Sequence, residues 1–152
     1  MNLGHYLSLI SRSQHELAEA FREVAAGHAA DAAVFHISGQ LAAQCDRHVG
    51  ELKPFVERYG VEGEEPDRLH SDLFQGTREG PLGMLRDLHD LYLMAAEVDM
   101  SWTVIAQAAQ GVRDRDLLAV TSQCEKETAT QMKWIRAQMK ETAPQTLVVA
   151  SG

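Results

Sequence analysis

The sequence predicts an all-α fold, an antiparallel four-helix bundle. Three observations predict it. Residues 80–144 carry a continuous apolar period of helical spacing that folds back near Gln110-Gly111, and the first 60 residues repeat that plan. Gly27, Gly60 and Gly111, with Pro81 and Pro144, stand where such helices should start and stop. Finally, 152 residues suffice for one substantial core but not for two. Neither hairpin can hide its apolar face alone, so pairing the two is the economical solution. Residues 1–144 are expected to form one bundle domain, with 145–152 as a C-terminal tail.

The first helix should run from about Leu3 to Ala26. Leu3, Ile10, Leu17 and Val24 recur every seven residues, flanked by Tyr6, Leu7, Ser13, Gln14, Ala20 and Phe21. Gly27 supplies a stop, and Asp31 is placed to cap the next helix. That second helix should run from about Ala30 to Tyr59 with an inner stripe of Val34, Ile37, Leu41, Gln44, Cys45, His48, Leu52 and Phe55. Pro54 removes an amide from it and predicts a kink or break near Gly50-Glu51, and Gly60 ends it.

Residues 60–80 form the one sizeable connection, rich in Gly, Pro and acid, and Leu69, Leu73 and Phe74 could tack it onto the bundle. About 20 residues reach roughly 66 Å when extended, more than the ~45 Å length of a 30-residue helix. A same-end loop and a long crossover between helices 2 and 3 are therefore both compatible with it.

The third helix should start near Pro81 and use Leu85, Leu88, Tyr92, Ala95, Asp99, Trp102 and Ala106 as its seam, flanked by Leu91, Val98 and Ile105. The fourth should use Leu117, Leu118, Thr121, Cys124, Glu125, Thr128, Met132, Ile135 and Met139, with Asp114 and Asp116 at its positive end.

With turns near residues 28 and 111, Gln14 should lie level with about Leu41 to Gln44, and Glu97 with about Glu125. Polar residues from all four helices then meet halfway along the bundle: Ser13, Gln14 and Glu16; Gln44 and His48; Glu97 and Asp99; Cys124, Glu125, Thr128 and Gln131. Interior carboxylates are costly unless paired, protonated or bound to a cation. A mixed carboxylate and imidazole set suits Zn, Mn or Fe. A satisfied hydrogen-bond network that fixes register accounts for the same residues without any ligand.

Two helix pairs, an acidic first helix and a histidine on the second resemble the ferritin-like superfamily in architecture. That resemblance implies a di-metal site with one Glu from each of two helices and an ExxH pair from each of the others. On this chain it points to Glu16 or Glu19, His48, Glu97 and Glu125 as metal ligands. The match is incomplete: Cys45 stands three residues before His48 where Glu is expected, and Thr128 follows Glu125 where His is expected.

A formal charge of −8 argues against nucleic acid and anionic membrane surfaces. No stretch has the length of a transmembrane span, and the start lacks the pattern of a signal peptide. Cys45 and Cys124 form no CxxC pair, so a cytoplasmic location is expected. Glycine-rich phosphate loops, a serine elbow and HExxH are missing. The sequence thus favours a helical-bundle binding, structural or stress-associated module, with a homodimer through Trp102 or Trp134 as one expected partner. The alternative is an incomplete ferritin-like metal-binding oxidoreductase.

Overall fold

The computed structural model describes residues 2–60 and 73–149. They form four long helices, α1 (Leu3–Gly27), α2 (Ala32–Tyr59), α3 (Gly80–Gly111) and α4 (Arg115–Pro144), followed by a short π-helical turn, Gln145–Val149. No strand occurs among the described residues, and no helix there is long and apolar enough to cross a membrane. The connection between α2 and α3, including Leu69, lies largely outside the described residues. Its last part returns with Phe74 packed on the core and Leu73 exposed.

Local chemistry sets the helix ends. Asp31 Oδ1 accepts from Val34 N at 3.0 Å and Asp114 Oδ1 from Leu117 N at 3.0 Å, so each hairpin begins its return helix with a side-chain cap. The Asp31 cap starts α2 two residues later than the sequence suggests. Of the kink or break expected near Gly50-Glu51, the break does not occur: helix α2 runs on through Pro54 to Tyr59. Pro54 and Gly50 are both exposed, so the carbonyl freed by the missing amide faces water.

Each helix contributes a heptad-like seam. On α1 it is Leu3, Leu7, Ile10, Gln14, Leu17, Phe21 and Val24. On α3 it is Leu88, Leu91, Ala95, Val98, Trp102, Ile105 and Ala109, so the residues expected as flanks are the true centre, while Tyr92, Asp99 and Ala106 are only half-buried. On α4 the seam is unusually polar: Leu117, Thr121, Cys124, Thr128, Gln131, Ile135 and Gln138. Glu125, Met132 and Met139 lie at its margins.

Helix α1 packs on α2 and α3, and α3 packs on α4; α2 and α4 touch more sparsely. Tyr59 Oη donates to Asp114 Oδ2 at 2.6 Å, so α2 finishes beside the α3–α4 turn. At that end α1 and α2 approach so closely that a Cβ on Gly4 would lie 1.5 Å from the Gly60 carbonyl oxygen. His28 and Asp87, by contrast, bring the start of α3 to the α1–α2 turn.

Candidate functional site

The structure gathers polar side chains in two places. The first lies halfway along the bundle. His48 is fully buried, its Nε2 lies 3.1 Å from Glu127 Oε2, and its ring meets Trp102 edge-on with centroids 5.9 Å apart. Trp102 Nε1 donates to Thr128 Oγ1 at 3.0 Å, and Thr128 in turn donates to the Cys124 carbonyl at 2.8 Å. Gln131 Nε2 donates to Gln44 Oε1 at 2.7 Å. Arg47 pairs with Glu127 from the outside, and Gln123 Nε2 donates to Glu127 Oε1 at 3.0 Å.

Charge follows from this geometry. Burial pushes His48 below its ordinary pKa despite the hydrogen bond to Glu127, so its ring is held neutral. Desolvation pushes Glu127 upward, but the hydrogen bonds from Gln123, Arg47 and His48 outweigh it and hold the carboxyl below its usual value. With Nε2–H donating to that carboxylate, Nδ1 of His48 carries a lone pair. It has no hydrogen-bond partner among the described residues, and neither do both amide atoms of Gln14 or Ser38 Oγ. Burial raises the Cys45 thiol to about 12. Cys124 is raised too, first by burial and then by Glu51, whose Oε2 lies 3.6 Å from its sulfur. Neither thiol is poised as a nucleophile.

Of the residues expected as metal ligands, only His48 is in the core. Glu19 is exposed and pairs with His15 at 3.2 Å, while Glu16, Glu97 and Glu125 are half-buried. No group of three or more His, Cys, Asp or Glu among the described residues comes together as a metal would require. The carboxylate that does meet His48 is Glu127. Glu125 and Glu127 flank the same seam from opposite sides, and only the side that α2 occupies decides between them. The register also differs from expectation. With Gly4 beside Gly60 and Arg22 paired with Asp46, Gln14 comes level with about Gly50 to Pro54 rather than with Leu41 to Gln44. Trp102 opposite Thr128 likewise shifts Glu97 away from Glu125. The turns fall later than residues 28 and 111, and helical side chains lean toward their own N-termini, which shifts facing residues in the same sense. Trp102 is fully buried and offers nothing to a partner.

The second cluster sits at the α1–α2 turn. His28 Nε2 lies 2.7 Å from Asp87 Oδ2, and both side chains are buried. Asp87 also accepts from Arg78 N at 3.0 Å and from Arg78 Nη1 at 2.8 Å, and the same Nη1 reaches Asp90 Oδ2 at 2.9 Å. The network therefore ties the segment before α3 to the first hairpin. His28 also lines a cavity of about 580 Å³, together with Asp31, Met84, Gln138, Glu141 and Thr142. Among the described residues its lining includes neither Lys nor Arg. Asp87 and Asp90 share a helix face at i,i+3 spacing, but His28, the partner of Asp87, lies 59 residues away and only the fold supplies it.

Compared with family models, curated proteins and solved structures, the chain gives no significant match.

Proposed function

We propose that this chain is a ferritin-like bundle, with the segment between α2 and α3 crossing from one end to the other, that works as a small-molecule binding module through the cavity at its α1–α2 turn. The crossover is supported by Tyr59 beside Asp114 at one end and His28 beside Asp87 at the other. The observation that carries the binding reading is a buried His28–Asp87 pair at the wall of a cavity of about 580 Å³. That volume lies in the range of small-ligand sites. Asp87 anchors one ring nitrogen of His28, which orients the ring and leaves the other nitrogen as a fixed hydrogen-bonding point. Asp31 and Glu141, with no Lys or Arg beside them in the described lining, favour a neutral or cationic ligand, and Pro81 and Met84 accept its apolar part.

Fragment titration read by amide and side-chain NMR tests this reading, using small alkylamines beside matched carboxylates. The amines are expected to shift resonances of Gly27, Gln138 and Thr142, and His28→Gln should weaken binding about tenfold, the loss of one good hydrogen bond. Absence of shifts at these residues for every amine, at millimolar concentration, overturns it.

A second reading, a metal centre built on Glu16 or Glu19, His48, Glu97 and Glu125, has one observation in its favour: the buried Nδ1 of His48, which has no partner among the described residues. As they stand the five residues do not fit a di-metal centre, because the carboxylates would have to swing inward. Stoichiometric Fe, Mn or Zn in untagged protein, lost on both His48→Ala and Glu97→Ala, would support it; metal-free protein after reloading would reject it.

A further inference from the structure

Helix α3 is apolar on two sides. One side is the seam through Leu88, Leu91, Val98, Trp102 and Ile105. On the other, Leu82, Leu93, Met100 and Val104 remain 58%, 53%, 63% and 48% exposed. At 100° per residue these four fall within about 40° of one another, in a stripe roughly 33 Å long. Scattered exposed apolar residues need no explanation, but four large ones aligned along one helix do.

We propose that this stripe is a homodimer interface in which α3 packs antiparallel against α3 of a second copy, with Leu93 on the twofold axis. The spacing is self-complementary. Placing Leu93 opposite its own copy sets Leu82 against the partner's Val104 and lays the Arg86 stem along the partner's Met100. Charge selects the direction. The cationic side chain of the stripe, Arg86, lies in its first half, and the acidic Glu97 lies in its second. Antiparallel pairing brings the first half of one helix onto the second half of the other, whereas parallel pairing stacks Arg86 on Arg86. The helix macrodipoles also oppose one another in this arrangement. The four side chains offer on the order of 400 Å² of surface per copy, about half of the ~800 Å² per partner in a standard interface. Arg86, His89 and the half-buried Ala96 add to it. The dimer should accordingly be concentration-dependent, with a Kd on the order of micromolar.

Sedimentation velocity over a concentration series tests this, with Leu93→Glu as the disrupting variant. Wild type should pass from monomer to dimer, and Leu93→Glu should raise the dissociation constant at least about tenfold by setting two carboxylates face to face. Leu93 is exposed, so the helix content of the variant should match wild type. In a second measurement, Leu93→Cys should be captured as a dimer by a short bismaleimide, while Phe35→Cys on α2 should not; Cys45 and Cys124 are buried and stay silent. Wild type that remains monomeric at every concentration overturns the proposal, as does a dimer that persists in Leu93→Glu. Neither outcome touches the cavity at the α1–α2 turn, which is lined by other residues.

Discussion

Replacing Asp87 by Ala removes the acceptor on which the α1–α2 turn and the start of α3 converge. The carboxylate takes a 2.7 Å contact from His28 and hydrogen bonds from Arg78 N and Nη1 at 3.0 and 2.8 Å. Arg78 contributes little through its guanidinium. Its side chain is 45% exposed, keeps Asp90 as a partner and regains water when Asp87 is lost. The His28 contact is different, because both side chains are shielded and a charge-assisted hydrogen bond of that kind contributes about 1.5–3 kcal/mol. Adding the cost of stranding the His28 ring gives a loss of roughly 3 kcal/mol, at the low end for breaking a buried pair. For a chain of this size that corresponds to a drop of about 6 to 12 °C in Tm. Urea unfolding followed by circular dichroism would read the loss, and a double-mutant cycle would assign it. Coupling of Asp87→Ala with His28→Ala should be about 1.5 kcal/mol or more, and with Arg78→Ala about 0.5 kcal/mol or less. If Asp87→Ala unfolds at the wild-type midpoint, or if Arg78 carries the larger coupling, the account of this cluster is wrong.

Three further outcomes are expected. Because His48 has a lowered pKa in the folded protein, the unfolded chain binds the extra proton first. Stability should fall as pH drops below about 6.5 toward the folded value, and His48→Gln should flatten that part of a pH series of urea midpoints. Glu127, itself lowered, loses its contribution only at more acidic pH, below its unfolded value, so the two effects separate along the series. Gly4→Ala should destabilise by about 2 kcal/mol despite the better helix propensity of Ala, since its Cβ would collide with the Gly60 carbonyl; a higher Tm than wild type would contradict the close approach of α1 and α2. Gln14→Leu should raise stability by about 1–2 kcal/mol, because it removes a fully buried amide with no partner among the described residues. A loss on calorimetry would mean that the amide is satisfied in solution.

Four helices, their approximate ends and much of the α1 seam were legible from apolar spacing and capping residues alone. The α3 seam was legible only in part. With Leu82, Leu93, Met100 and Val104 on one side and Leu88, Leu91, Val98 and Ile105 on the other, its periodicity has no single apolar face to point to. Helix α4 posed the opposite difficulty: Thr121 and Thr128 stand on the seam its spacing gives, but Gln131 and Gln138 occupy core positions where that spacing puts Met132 and Met139. The pairing of His48 with Glu127 rather than Glu125 depends on which neighbour α4 turns each flank toward. That is a property of bundle handedness, not of spacing along one helix. The His28–Asp87 contact joins a turn to a helix start across the connection between the hairpins, where no local pattern links them.

One thiol sits on each hairpin, Cys45 on α2 and Cys124 on α4, both sealed along the sparsely packed side of the bundle. Alkylating reagents can reach them only when that side parts, so labelling rates become a clock for the opening of native protein. Matching rates at both sulfurs would mean that the hairpins come apart as a unit; unequal rates would reveal one helix peeling away while the other three hold. The chain thus carries its own probes of breathing, with no added label.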